Sequence, residues 1–106
     1  MDIKDYLLDN NAVGIENAIT TREIKKALSI NDDREVVRRV SVERSHGALI
    51  CGKQTGDGGY YMPANIEEIQ KQAKKLEKGF KMRALAIKPF RRALKDYKAG
   101  KTVLNE

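Results

Sequence analysis

The sequence predicts a mostly helical α+β protein with one small β-hairpin, and three observations carry that prediction. Two capped amphipathic segments lie close together between residues 20 and 47. The period then changes, with short apolar and aromatic runs at "ALIC" and "GYYM". From residue 66 a three/four spacing of apolar residues returns and continues toward residue 98.

The bulk numbers set limits. At 106 residues the chain is one domain with room for an appended helix. The single cysteine excludes a disulfide framework and suits a reducing compartment. No apolar run approaches the ~20 residues that span a membrane. The opening "MDIKDYLLDN" is acidic and has no basic head before an apolar block, so a cytoplasmic protein is expected. Charge is uneven. Residues 1–65 hold nine Lys/Arg against ten Asp/Glu, and residues 66–106 hold twelve against five, so the +6 excess lies in the second part. A basic segment suits nucleic acid or another acidic partner, and a solvated lysine-rich helix face has the same composition.

In chain order, "DIKDYLLD" reads as a short helix with Asp2 as N-cap and Ile3, Tyr6 and Leu7 at helical spacing. "NNAVGIENA" breaks that period, and Ile19 is expected in a very short strand. "TTRE" is a capping box, with Thr20 as cap and Glu23 reaching back, and it opens a helix whose apolar face is Ile24, Ala27 and Leu28. "SIND" interrupts it, and Asp32 with Glu35 repeats the capping pattern for a helix ending at Gly47. Two capped helices separated by about four residues read as helix-turn-helix.

Projected at about 100° per residue, the second of these helices gathers Val36, Val37 and Val40 on one side with Arg44 at its edge. Arg34, Arg38, Ser41, Val42 and Ser45 fall on the other, flanked by Glu35 and Arg39. Arg donates two bonds to a guanine edge and Ser holds phosphate oxygens, so this face has the chemistry of a major-groove reader. An ordinary amphipathic helix with a solvated basic face has the same pattern.

The "ALIC" and "GYYM" strands flank "GKQTGD", a long turn, and Pro63 stops the second strand. Asn65 caps the next helix, with Glu68 three residues on. Its stripe runs through Ile66, Ile69, Ala73, Leu76, Phe80, Ala84, Ile87, Leu94 and Tyr97, with one gap filled by Phe90 or Arg91. Gly79 weakens this helix, and Pro89 is expected to kink or split it at Lys88. An unbroken helix over 66–98 would be about 50 Å long, too long for a 65-residue body to cover. Self-association of its distal half is the favoured expectation, and a break near Pro89 with folding back is the other. Residues 99–106 are expected to form a flexible tail.

The stretch "ITTREIKKALSINDDREVVRRVSVERSHG" followed by "ALICGKQTGDGGYYMP" resembles the small winged helix-turn-helix proteins encoded by phages and prophages of Gram-positive bacteria. The matching positions are Thr20, Glu23 and Ile24; Arg34, Glu35, Val36, Arg38 and Arg39; Gly47, Ile50 and Cys51; and Gly59, Tyr60, Tyr61 and Pro63. The resemblance covers residues 1–65 as a winged domain, with 66–98 as a basic helix after it. It implies duplex DNA binding in regulation or replication, with residues 32–45 as recognition helix and 53–59 as wing tip. Many DNA-binding wings carry several Lys/Arg, whereas this one has only Lys53 and also Asp57.

On that expectation Arg34, Arg38 and Arg39 reach bases or phosphates, supported by Ser41 and Ser45. Arg22, Lys25 and Lys26 contact backbone from the preceding helix, and Lys53, Gln54 and Thr55 touch it lightly from the wing. A homodimer through the last helix is expected. The alternative is an adaptor binding a host or phage protein through the winged domain and long helix. A single-stranded nucleic-acid binder stacking bases on Tyr60 or Tyr61 ranks last, because alternation turns one of the two inward.

Catalytic chemistry has little material. His46 is the only histidine and ends a helix, Cys51 lies within a strand, and one of each cannot close a tetrahedral metal site. "GKQTGDGG" lacks the Lys-Ser/Thr ending of a nucleotide-binding loop and does not lead into a helix. No enzyme activity, cofactor or metal is expected.

Overall fold

The computed structural model describes residues 1–77 and 83–98, and the side chains of 1–77 and 87–98. Its helices are α1 (Ile3–Asp9), α2 (Thr21–Leu28), α3 (Asp33–Ser45), α4 (Ile66–Glu77) and α5 (Arg83–Lys98). A 3₁₀ turn covers Ile15–Asn17, and β1 (Cys51–Gly52) and β2 (Tyr60–Tyr61) form an antiparallel hairpin. The chain is therefore α+β, mostly helical with one small sheet.

The expected caps form where the signal is local. Thr20 Oγ1 accepts from Glu23 N at 3.2 Å, Asp32 Oδ1 from Glu35 N at 2.8 Å, and Asn65 Oδ1 from Glu68 N at 3.0 Å. Asp2 stands at the N-cap of α1 but makes no capping bond with its side chain. The Glu43 carboxylate, from α3, takes that role by accepting from Ile3 N and Lys4 N, both at 2.8 Å. Between α2 and α3, Ser29 turns left-handed at φ 56° and the Ile30 N–H returns to Lys25 O at 2.9 Å, closing α2 as a Schellman motif does. Gly47, at φ +107°, follows the end of α3 as expected.

The sheet is wider than its two named strands. Ile19 exchanges both backbone bonds with Tyr60 at 2.9 Å, giving the short strand expected there, and Met62 N donates to Ala12 O at 2.7 Å. Segment 60–62 is thus held on both sides. The outer edge of β1 is closed by α4: Gly52 N donates to Gln72 Oε1 at 2.9 Å, and Lys75 Nζ donates to Gly52 O at 2.8 Å. An exposed strand edge is a template for unwanted pairing, and these two side chains remove it.

One core runs through the molecule. Ile3 and Leu7 of α1, Ile24 of α2, Val36 and Val40 of α3, and Ile50, Cys51, Tyr61 and Met62 of the hairpin are buried together with Ile69, Leu76, Ile87 and Phe90. Ala27 is exposed, and Ile30 beyond the helix end is buried in its place. Val37, expected on the apolar side of α3, is 54% exposed, while Arg44 is buried with its Nε donating to Ile50 O at 2.8 Å. The long Arg stem suits an apolar flank once its head finds a carbonyl.

The segment read as one helix over 66–98 is two helices, and α5 packs against both α4 and α3. Pro89 neither ends nor splits α5, which continues through it to Lys98. An interior proline costs about 3 kcal/mol, and burial of the neighbouring Ile87 and Phe90 offsets this. The gap in the stripe is filled by Phe90, which is fully buried, and Arg91 is exposed. Ile69, Ala73, Leu76, Ile87, Phe90 and Ala93 are all buried within this one chain. Leu94 is half-buried and Tyr97 is 52% exposed, so the chain covers most of the described stripe and leaves its far end open. Gly79, Phe80 and the tail 99–106 lie outside the described residues, as does the side chain of Ala84. Among the described residues no helix is long and apolar enough to cross a membrane.

Candidate nucleic-acid interface

Helix α3 buries Val36 and Val40 and leaves the opposite face open. Arg34, Val37, Arg38, Ser41, Val42 and Ser45 are all exposed along it. The buried pair sits four residues apart, so the helical period turns Arg34, Arg38, Ser41, Val42 and Ser45 outward, while packing leaves Val37 exposed at the edge. The outward set expected from the sequence is brought together, and Val37 joins it.

The cationic side chains on and near this face do not all stand free. Arg38 donates Nε and Nη2 to the two oxygens of Glu35 at 2.8 and 2.7 Å, and Arg39 Nε adds a third bond at 3.0 Å. Hydrogen bonds from the two guanidiniums, Arg38 first, pull the Glu35 carboxyl down to about 2, and the same pairing raises the Arg38 pKa. Glu35 was expected to reach back in a capping box; with two arginines one turn ahead, it reaches forward instead. Lys25 Nζ pairs with Asp33 at 2.8 Å and so ties α2 to the start of α3. Arg22, Lys26 and Arg34 are exposed with no ion pair among the described residues. The Ser45 hydroxyl donates to Val42 O at 2.6 Å, which keeps its lone pairs for an incoming donor.

Beside α3 the hairpin loop rises from Lys53 to Gly59. Lys53 N donates to Gly59 O at 2.9 Å and Gly58 N to Thr55 O at 3.1 Å, so the loop is closed by its own backbone. Between this loop, α3 and α4 lies an open groove of about 390 Å³. Val37, Ser41 and Arg44 line one wall, Lys53, Gln54 and Tyr60 another, and Gln72 and Lys75 the third. Lys75 and Gln72 were not among the expected site residues. They stand one helical turn apart on α4, and nothing local in the sequence says that β1 lies beside them. A second recess is lined by Thr20, Arg22, Lys25, Asp33 and Asp57, and Asp57 also lines the first groove, so the loop's one carboxylate belongs to both. Thr55 is exposed at the loop tip and lines neither recess.

Burial fixes what the remaining groups can do. Cys51 is fully buried and its thiol is pushed up to about 12 by desolvation, which leaves it protonated and without nucleophilic character near neutral pH. Tyr61 is buried and its phenol is likewise pushed up to about 12, while Tyr60 is half-buried at the groove. His46 is exposed at the end of α3. Among the described residues no cluster of three or more His, Cys, Asp or Glu could hold a metal ion.

No protein-family model, curated protein or solved structure matches this chain.

Proposed function

We propose that this chain is a winged helix-turn-helix protein that binds duplex DNA through α3. The observation that carries the reading is the open face of α3, where Arg34, Arg38, Ser41 and Ser45 stand clear of the core beside the hairpin loop. The order of elements supports it: helix, bridging strand at Ile19, two capped helices, then a hairpin whose second strand pairs back to Ile19. Arg34 and Arg38 supply donors for guanine edges, and Val37 supplies an apolar contact for a thymine methyl. Arg22 and Lys26 flank the face from α2 and suit phosphate contact, with Lys53, Gln54 and Thr55 doing so from the loop.

A homodimer through the last helix stays part of this reading, with the half-buried Leu94 and the exposed Tyr97 as the described stripe residues left to meet a second copy. By the resemblance of its motifs, the role is regulation or replication on phage or prophage DNA. The exposed valines Val37 and Val42 favour a second reading, in which the same face docks a partner protein as an adaptor.

The two are separated by a gel-shift series of the wild type and Arg38→Ala across salt concentrations, in which no duplex binding by the wild type at low salt leaves the adaptor reading. Under the DNA reading this substitution weakens duplex binding by about 1–3 kcal/mol and relaxes base preference. Identical affinity and preference in the variant and the wild type would remove Arg38 as a reader.

A further inference from the structure

We propose that Glu35 is a positioning residue for base recognition: its carboxylate aims Arg38 at the base edge and restrains sequence-independent attraction. The proposal rests on the duplex-DNA reading above.

The geometry begins with the helix start. Glu35 is the third residue of α3, and its own N–H is fixed by Asp32 at 2.8 Å. From that anchored position both carboxylate oxygens meet Arg38, one at Nε and one at Nη2, in a fork-to-fork pair. The pair occupies the Nε–Nη2 side of the guanidinium and leaves its Nη1–Nη2 end open. A guanine presents two adjacent acceptors, O6 and N7, and two parallel N–H groups match them. Arg38 remains 64% exposed while held in this way, so the open end is accessible on the reading face. An unpaired arginine would have to be ordered on binding, whereas this one is ordered beforehand.

The same carboxylate acts on phosphates in the opposite sense. Arg38 and Arg39 together carry two positive charges, and Glu35 bonds to both, leaving one net charge for the trio. Each guanidinium tied to a carboxylate is one fewer free to neutralise phosphate, and phosphate neutralisation is the sequence-independent part of DNA affinity. Specificity is a difference of affinities, and Glu35 widens it from both sides.

The test uses the full chain, a duplex selected by the wild type from a random library, and a scrambled duplex of equal length. Glu35→Gln is expected to weaken binding to the selected duplex and strengthen binding to the scrambled one. The ratio of the two affinities shrinks about ten-fold, as loss of one well-aimed bidentate contact requires. The log–log salt slope on the scrambled duplex steepens by about 0.9 for one more phosphate neutralised. Glu35→Asp keeps the charge and loses the reach, so it lowers affinity for the selected duplex and strengthens scrambled binding less than Glu35→Gln does. Thermal unfolding of both variants accompanies the titrations. An unchanged ratio in Glu35→Gln, or equal weakening on both duplexes, overturns the assignment while leaving DNA binding intact. If the wild type selects no duplex, the DNA reading falls and this proposal falls with it.

Discussion

Gly59 shows how a single residue can join distant parts of the chain. Its φ is +113°, and a Cβ there would run into the carbonyl of Ile19 and the backbone of Thr20. The obstruction is backbone on the far strand, so no side chain can swing away to make room. Gly59→Ala is therefore expected to destabilise the protein by about 2 kcal/mol or more, read as a lower urea midpoint. Gly56→Ala is the control, since φ is +61° there with open space around it, and should cost only about 1 kcal/mol. The sequence showed that "TGDGG" needs glycine backbone angles in a long turn. It did not show which glycine lies against another strand, because Ile19 is forty residues away. The exposure of Val37 was hidden for a similar reason: periodicity placed it with Val36 and Val40, and only packing decides where the edge of a face falls.

Among the elements, the short helix α1 depends on a residue from elsewhere in the chain. Its first-turn amides at Ile3 and Lys4 are satisfied by Glu43 of α3, not by Asp2. Glu43→Ala leaves both without their partner and is expected to cost about 1–2 kcal/mol, whereas Asp2→Ala should stay within about 0.5 kcal/mol. Chemical denaturation of the two variants side by side checks this, and equal small losses would mean that Glu43 does not cap α1. The caps of α2, α3 and α4 were legible because an N-cap residue and the amide it serves are three positions apart. Glu43 to Ile3 spans the chain, and Gln72 and Lys75 to Gly52 is a tertiary contact too. For the candidate site, the same limit applies to Glu35. Its spacing from Asp32 announced a capping box, while its forward pairing with Arg38 and Arg39 depended on competition between the two directions.

For the molecule as a whole, the open question was what covers a stripe running from residue 66 to residue 98. A three/four repeat reads the same in one straight helix and in two that pack on each other, so the pattern could not choose. Phe90 settles it: the side chain is fully buried in the core, on a helix that packs against α3 and α4. Phe90→Ala should cost about 3–5 kcal/mol, a large part of the 5–15 kcal/mol that a typical domain has in total. A clearly lowered thermal midpoint is expected, and a midpoint like the wild type's would show that α5 is not part of the core. The charge asymmetry was legible and survives folding. Lys71, Lys74, Lys88, Arg92, Lys95 and Lys98 are all exposed on the last two helices. The α2–α3 pair and hairpin were legible down to most outward-facing residues, whereas the groove wall supplied by α4 was not. The central claim is that α3 reads duplex DNA, and selection from a random duplex library by the full chain tests it most directly. The account predicts enrichment of one short motif containing guanine, with affinity that falls as salt rises. Recovery of no motif, with no duplex retained even at low salt, would contradict it.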